Sequence, residues 1–262
     1  MDYSTLKIER YRNVAHIQLN RPEVMNALNQ DLVDDIFNCF NELNKDVDVR
    51  VIVLSGSGKA FCAGGDVSFL QVINSQSPYG TRQLLNSLFQ KISVVARVEK
   101  PVVGALHGFV LGAGFSLSLL CDMRVASEST IFGAEFPLMG IIPELGGTYT
   151  LPATVGLAKA MEIVLEARRF DAVEAERIGL INRIIPDEKL IDEALELAGH
   201  IAALPPLAVG MSKVALRKGA AGCLDESLIF EAQVNALCYQ TEDHKEAATA
   251  FFEKRKPIFK GR

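Results

Sequence analysis

The feature that most constrains the fold is the stretch at residues 100–122, KPVVGALHGFVLGAGFSLSLLCD. The apolar run at 102–106 follows a proline and predicts a buried strand, and the apolar segment at 115–120 predicts a helix. Four glycines crowd this stretch: Gly104, Gly108, Gly112 and Gly114. A helix that begins at such a loop presents unpaired backbone N–H groups, which suit a negatively charged oxygen. Because glycine-rich turns are also common as purely structural turns in α/β cores, the stretch alone leaves both interpretations open.

The spacing of these residues argues against several familiar sites. Gly108-x-x-x-Gly112-x-Gly114 is not the dinucleotide fingerprint G-x-G-x-x-G, and the segment SGSGK at 55–59 lacks the first glycine and the final Ser or Thr of a P-loop. The run at 114–118, GFSLS, has a serine where the second glycine of the nucleophile elbow G-x-S-x-G belongs. Nucleotide phosphate binding is therefore disfavoured, and a serine hydrolase is only weakly supported.

Composition excludes further classes. The chain has 262 residues, of which 49% are hydrophobic, and a net charge of −5, which gives no electrostatic footprint for nucleic acid. Its five cysteines include no C-x-x-C pair, and its four histidines have no metal-ligand spacing, so neither a disulfide nor a metal site is predicted. The N-terminal residues lack a signal-peptide pattern and no apolar run is long enough to cross a membrane, which predicts a cytoplasmic protein.

The rest of the chain predicts an α/β sheet followed by helices. Residues 14–19 alternate as a strand, and Asn29 is placed to cap a helix whose apolar residues recur at helical spacing. A strand at 50–54 leads into a second glycine-rich loop, and a helix is predicted at 81–98. From about residue 157 the pattern becomes mostly helical, with helices predicted at 189–203, 206–218, 224–240 and 243–256. Alternating strands and helices are typical of sheets built by crossover connections.

Two glycine-rich loops, AFCAGGD at 60–66 and HGFVLGAG at 107–114, resemble the paired signature of the crotonase superfamily, which includes enoyl-CoA hydratases and isomerases. Further motifs of that family occur in order along nearly the whole chain: Asn20-Arg-Pro22 with Asn26-Ala-Leu28, Cys121-Asp122, Phe132-Gly133, Gly140 through Gly146-Gly-Thr148, and Phe251 through Lys256. The motif pattern is most similar to that of the enoyl-CoA isomerases.

The resemblance implies an α/β fold with a crotonase-like ββα spiral core at 1–199 and a C-terminal helical region at 200–262 that mediates trimer formation. A boundary is expected between about residues 199 and 205, and the assembly is expected to be a homotrimer or a dimer of trimers. The implied ligand is an acyl-CoA thioester, with no cofactor beyond the coenzyme A that is part of the substrate. No nucleic acid and no membrane are expected as partners.

The resemblance also implies an oxyanion hole for the thioester carbonyl, formed by the backbone N–H groups of Gly65 and Ala113. Donors aimed at a developing enolate stabilise the charge where it appears, and small residues keep the approach open. Residues that match coenzyme A contacts of the family are Ala27, Leu28, Ala63, Asp66 and Val67. Phe251 and Lys254 match residues that reach the nucleotide end of coenzyme A, commonly from a neighbouring subunit, although Lys254 also fits a solvated charge on a helix.

The chain departs from the family at the catalytic acids. Hydratases use two glutamates to hold and activate water, and the aligned positions here are Ser116 and Phe136, so the two-carboxylate mechanism is absent. Glu144 follows a proline and precedes Gly-Gly-Thr, which resembles the base of the isomerases, although it could merely cap the following turn. Glu135 is a poorer second base, because a one-residue offset turns its side chain elsewhere. Ser116 could bind a ligand or simply pack in its helix.

Several functions stay open on this evidence. The leading prediction is an isomerase that moves a double bond from a 3-enoyl-CoA to a 2-enoyl-CoA, with Glu144 as its single base. Hydrolysis of an acyl-CoA thioester is a second hypothesis, and hydration with Glu135 or Glu144 alone is a third. A non-catalytic scaffold that binds coenzyme A or RNA would leave Glu144 dispensable, and the negative net charge disfavours RNA.

Overall fold

A computed structural model describes residues 3–262. Ten strands occur in this part of the chain: β1 (Leu6–Tyr11), β2 (Val14–Leu19), β3 (Val51–Gly56), β4 (Ala60–Cys62), β5 (Val102–Leu106), β6 (Phe109–Leu111), β7 (Met123–Ser127), β8 (Ile131–Gly133), β9 (Arg169–Asp171) and β10 (Arg183–Ile185). The α-helices are α1 (Gln30–Lys45), α2 (Val67–Asn74), α3 (Pro78–Ile92), α4 (Val94–Arg97), α5 (Gly112–Leu120), α6 (Gly147–Val155), α7 (Leu157–Glu166), α8 (Ala172–Arg177), α9 (Leu190–Ala202), α10 (Pro206–Ala221), α11 (Leu224–Cys238) and α12 (Glu242–Glu253).

The strands form two sheets. The larger has the order β1-β2-β3-β5-β7-β10 and is parallel except for the β1–β2 pair. The smaller has the order β4-β6-β8-β9, with only the last pair antiparallel. Three times in succession, a strand of the larger sheet is followed by a strand of the smaller sheet and then by a helix. This repeat is the ββα spiral predicted from the family resemblance, and it confirms the predicted α/β fold class with its helical C-terminal region.

The local predictions agree with the structure in most places. β5 is buried over its whole length, as the apolar run required, and the Leu32 N–H donates to the Asn29 side chain at 3.0 Å to cap α1. Helix α5 is buried from Ala113 to Leu120, which explains why its sequence is apolar on all sides. The single helix predicted at 81–98 is wrong, because Ser93 separates α3 from α4.

The central sheet is covered on both faces, which parallel strands require. One face packs with the smaller sheet and with α1, α3 and α5 around the main core. The other face packs against α9, where small side chains allow close contact with the strands: Ala194, Ala198 and Ala202. The site described below lies at the ends of β4 and β6, where the chain leaves the smaller sheet.

The C-terminal helices are attached to this core by buried charges. The Asp122 carboxylate pairs with Lys213 at 2.7 Å and with Arg217 at 2.8 Å, both on α10. The Arg50 guanidinium donates to the Phe259 carbonyl at 3.0 Å, which holds the end of the chain against the core. The turn between α9 and α10 lies within the predicted boundary region at 199–205, and the division into two domains stays a prediction.

Within residues 3–262, no single helix is long and apolar enough to cross a membrane. One pair of segments, Asp187–Ala202 and Pro206–Ala221, meets the length and composition criteria only together, and it is bent by 104°.

Candidate active site

The two glycine-rich loops lie against each other. Gly64 has a φ of 117°, and an added Cβ there would lie 3.3 Å from the Leu111 carbonyl oxygen. A Cβ at Gly114 would lie 2.2 Å from the Cys62 carbonyl oxygen, so the first turn of α5 packs on β4 with no room for a side chain. Glycine at these two positions is therefore what brings the loops together, in the arrangement that the paired motifs predicted.

Both predicted oxyanion donors have free backbone N–H groups. The Leu28 N–H donates to the Gly64 carbonyl at 2.8 Å, and the Leu28 carbonyl accepts from the Asp66 N–H at 2.9 Å. The N–H of Gly65, which lies between Gly64 and Asp66, takes no part in this pairing. Ala113 is the second residue of α5, so its N–H has no acceptor within the helix. Neither N–H donates to any residue of the described chain. Two adjacent free donors, one of them at a helix N-terminus, can bind a negatively charged oxygen.

The segment at 20–29 supports the first loop through one buried amide. The Asn26 side chain donates to the Ser57 carbonyl at 2.9 Å and to the Ala60 carbonyl at 2.8 Å, and it accepts from the Arg21 N–H at 2.8 Å. Asn26 is fully buried and has a φ of 56°, a conformation that asparagine tolerates better than most residues. This amide therefore fixes the segment on which the first loop is bridged.

We expect Asn26→Ala to lower the free energy of unfolding by about 2–4 kcal/mol, since two carbonyls and one N–H lose their partner in the interior. Urea denaturation followed by circular dichroism measures this loss. Asn41→Ala is the matched control, because the Asn41 amide donates only to the Phe37 carbonyl one turn back in α1. The control should change stability by no more than about 0.5 kcal/mol. Equal losses in the two variants would contradict the supporting role of Asn26.

The predicted coenzyme A contacts near these loops lie on two segments that Leu28 joins by backbone hydrogen bonds. These residues are Ala27, Leu28, Ala63, Asp66 and Val67. Val67 is exposed, whereas Asp66 is buried and its carboxylate is already engaged. Asp66 accepts from the Ser68 N–H at 2.9 Å, which caps α2, and it pairs with Arg21 at 2.8 Å. The Ser68 hydrogen bonds and the Arg21 guanidinium lower the pKa of the Asp66 carboxyl. Arg21, to which the sequence analysis assigned no role, thus ties the segment at 20–29 to the start of α2.

The two predicted contacts at the other end of coenzyme A lie elsewhere in this subunit. Phe251 and Lys254 are exposed at the end of α12. Among the described residues, no hydrogen bond or ion pair joins α12 to either glycine-rich loop. The role of Phe251 and Lys254 in coenzyme A binding stays a prediction.

Glu144 lies in the loop between a short 3-10 helix, Phe136–Met139, and α6. Leu145 and Gly146 both have positive φ, at 53° and 83°, and the Gly147 N–H donates to the Glu144 carbonyl at 2.8 Å to close a tight turn. The Glu144 side chain is half-buried, and its carboxylate has no hydrogen bond or ion pair within the described chain. Burial raises the pKa of this carboxyl above its ordinary value. A carboxylate in this state is chemically suited to accept a proton.

The start of α6, three residues after Glu144, packs on α5 one turn beyond Ala113. A Cβ added at Gly147 would lie 2.6 Å from Ser116 Oγ, and Ser116 follows Ala113 by three residues on the same helix. The structure thus places the turn that follows Glu144 against the helix that carries Ser116 and Ala113. The two positions that align with hydratase acids are both buried, Ser116 completely and Phe136 with 3% of its surface exposed.

Glu135 has a different environment. Its carboxylate pairs with the Arg169 guanidinium at 2.9 Å and 3.3 Å, and Arg169 also lies over the Phe109 ring. A carboxylate held by a bidentate guanidinium is less free to contact a substrate than an unpaired one. This pairing is consistent with ranking Glu135 behind Glu144.

Within residues 3–262, no group of three or more His, Cys, Asp or Glu side chains is placed to hold a metal ion.

Comparison with known proteins supports the family resemblance. The model of the enoyl-CoA hydratase/isomerase family matches residues 9–262. A crotonyl-CoA hydratase of Syntrophomonas wolfei is 37% identical over 260 residues, which cover 99% of each chain. A probable enoyl-CoA hydratase of Rhizobium meliloti is 39% identical over 262 residues, the full length of both chains. The crystal structure of an enoyl-CoA hydratase subunit from Geobacillus kaustophilus superposes with a TM-score of 0.94 at 36% identity, covering 100% of both chains.

Proposed function

Because the chain belongs to the enoyl-CoA hydratase/isomerase family of the crotonase superfamily, we propose that it acts on an acyl-CoA thioester and moves a double bond from a 3-enoyl-CoA to a 2-enoyl-CoA. Glu144 is the single base of this reaction. The observation that carries the proposal is that Glu144 is a half-buried, unpaired carboxylate in the loop that leads into α6, whose first residue, Gly147, packs against Ser116 of α5.

The proposed reaction needs one base and one oxyanion hole. The Glu144 carboxylate takes a proton from the α carbon, and the electron pair of that C–H bond delocalises into the thioester carbonyl on one side and into the double bond on the other. The N–H groups of Gly65 and Ala113 donate to the resulting dienolate oxygen. Glu144 then returns the proton to the γ carbon, so the double bond moves and the carboxylate is regenerated. No water is consumed.

Hydration is the second candidate, because the relatives from Syntrophomonas wolfei and Rhizobium meliloti carry hydratase names. Water addition needs a base for the water and an acid for the carbon. A serine and a buried phenylalanine occupy the two aligned acid positions, Ser116 and Phe136, which favours isomerisation over hydration. A hydratase here would have to rely on Glu144, or on Glu135, which is paired with Arg169.

A panel of 2-enoyl-, 3-enoyl- and saturated acyl-CoAs of matched chain length tests the proposal. Purified protein is incubated with each compound, and double-bond migration, hydration and free thiol release are followed. Turnover of the 3-enoyl-CoA to the 2-enoyl-CoA, with little 3-hydroxyacyl product, is the expected result. Hydration of 2-enoyl-CoA as the dominant activity would replace isomerisation by the second candidate, and thiol release would identify a thioester hydrolase.

The pH dependence of turnover provides another prediction. Since the base must be ionised, kcat/KM should fall on the acid side as Glu144 is protonated. Burial raises the pKa of Glu144, so the midpoint of this acid limb should lie above the ordinary glutamate pKa of about 4.3. A pH profile of kcat/KM with a 3-enoyl-CoA measures it, and the limb should be absent from any residual activity of Glu144→Gln. A midpoint at or below the ordinary value would contradict the desolvated state of Glu144.

We also infer that the protein assembles as a trimer or hexamer. Large apolar side chains are exposed on the last two helices: Leu224, Leu228, Ile229, Leu237, Phe251 and Phe252. Exposed apolar surface of this extent is typical of an interface between subunits. We expect sedimentation velocity at micromolar concentration to give a species of at least three chains, and Leu228→Glu to weaken it. A stable monomer would contradict this prediction and leave Phe251 and Lys254 without a neighbouring site.

A further inference from the structure

Ser116 carries a buried hydroxyl without a partner. No part of its side chain is exposed, and Ser116 Oγ makes no hydrogen bond within the described residues. This contrasts with Ser118 in the same helix, whose Oγ is also buried but donates to the Phe115 carbonyl at 2.7 Å. A buried polar group without a partner costs stability, so it requires a physical explanation.

A matching acceptor lies on the element packed against Ser116. The Glu144 carboxylate is half-buried and unpaired, and a tight turn joins Glu144 to Gly147. Gly147 is the residue that abuts Ser116 Oγ, since a Cβ there would lie 2.6 Å away. Because Gly147 has no side chain, the Ser116 hydroxyl has room between α5 and the start of α6. An unpaired donor, Ser116 Oγ on α5, and an unpaired acceptor, the Glu144 carboxylate in the loop before α6, thus lie on neighbouring segments of the fold.

We propose that Ser116 is a positioning residue whose hydroxyl donates a hydrogen bond to the ionised Glu144 carboxylate. The inference rests on the proposed function, in which Glu144 is the base, and it deepens that function by identifying what orients the base. This hydrogen bond requires the Glu144 side chain to turn toward α5, and it would give both groups a partner. The hydrogen bond would hold the carboxylate on the side of α5 where the Ala113 N–H lies free.

Such a hydrogen bond has a consequence for the ionisation of Glu144. A donor to the charged form of a carboxyl lowers its pKa and thereby opposes the effect of burial. Burial raises the pKa of Glu144, and the acid nearest to it in sequence, Glu135, is paired with Arg169. The midpoint of the acid limb in the pH profile of kcat/KM therefore depends on whether the Ser116 hydroxyl donates to Glu144.

Ser116→Ala tests the inference, with Ser118→Ala as the matched control that removes a buried hydroxyl from the same helix. With a 3-enoyl-CoA, Ser116→Ala should lower kcat by about tenfold, leave KM within about twofold, and move the acid limb upward by about one pH unit. Ser118→Ala should keep kcat, KM and the acid limb of the parent protein. Unchanged kcat and an unchanged acid limb in Ser116→Ala would overturn the inference.

A second measurement does not depend on activity. Thermal unfolding of Ser116→Ala, Glu144→Ala and the double variant forms a double-mutant cycle, which isolates the interaction between the two side chains because alanine at either position removes the proposed hydrogen bond. At pH 8 the two melting-temperature shifts should be non-additive, and the same cycle with Ser118→Ala should be additive. Additive shifts for Ser116 and Glu144 would overturn the inference. If Glu144→Gln retains full isomerase activity, the proposed function fails, while this cycle still decides whether the hydrogen bond exists.

Discussion

Glu144→Gln is expected to lower kcat for isomerisation of a 3-enoyl-CoA by at least about 10²-fold while KM changes little. Glutamine has nearly the volume of glutamate and can still hydrogen-bond, but it cannot accept the migrating proton. The loss should therefore appear in the chemical step and leave substrate binding intact. Steady-state formation of the 2-enoyl-CoA measures kcat, and titration of a non-reacting acyl-CoA measures binding.

Glu135→Gln is the matched control for this substitution. Glu135 is paired with Arg169 of β9, so its loss should reduce kcat by less than about threefold. If Glu135→Gln abolishes turnover and Glu144→Gln preserves it, the assignment of the base is reversed. If neither variant is impaired, a single-carboxylate mechanism at this site is wrong.

Thermal unfolding gives Glu144→Gln a readout that is independent of catalysis. Because burial raises the pKa of Glu144 in the folded protein, the folded state binds its proton more tightly than the unfolded chain does. This contribution to stability is complete below the unfolded pKa and is lost as the pH rises through the folded value. The variant should therefore gain in melting temperature relative to the parent at pH 8 and not at pH 4. A larger gain at pH 4 would contradict a desolvated carboxylate.

Isotope exchange tests whether one group moves the proton. When the reaction runs in deuterated solvent, a shielded Glu144 should return part of the original proton from the α carbon to the γ carbon. Mass spectrometry of the 2-enoyl-CoA measures the fraction of product without deuterium. Complete incorporation of solvent deuterium at the first turnover would leave the single-base shuttle without support.

The parts of the fold that the sequence predicted are those with a strong local signal. Residue types alone predict the buried strand β5 and the capping role of Asn29, and both agree with the structure. Strands β4, β6 and β8 have three residues each, which is too short for a period of two to be recognised. The short strands of the smaller sheet therefore have no local signal, and only the ββα spiral implied by the family resemblance includes strands of this kind.

The sequence predicts which residues form the candidate site, but their burial, hydrogen bonds and backbone conformation depend on contacts between distant segments. The sequence contained Asn26 within a family motif, yet nothing local indicates that its amide bonds to carbonyls more than thirty residues away. Leucine is an unusual residue for a positive φ, so the turn at Leu145 that follows Glu144 had no sequence signal. That Ser116 is buried without a partner likewise follows only from packing against Gly147.

Ala113→Pro is expected to lower kcat by about 10²- to 10³-fold, the loss associated with one oxyanion-hole donor. Proline removes the N–H of residue 113, and the first turn of a helix tolerates proline because its N–H groups have no intrahelical acceptor. The effect should therefore fall on stabilisation of the dienolate, with the Gly65 N–H as the remaining donor. The same steady-state assay with a 3-enoyl-CoA measures the loss.

Ala113→Gly is the control for this substitution, since it keeps the backbone N–H and removes only the methyl group. It should retain kcat within about fivefold, because glycine at this helix position costs about 1 kcal/mol of stability and no donor. Circular dichroism spectra and melting temperatures of both variants separate a lost donor from a disrupted loop. A folded Ala113→Pro variant with normal turnover would place the thioester carbonyl away from α5. Equal losses in the two variants would instead assign the effect to the methyl group or the helix start, since the N–H is present in one and absent from the other.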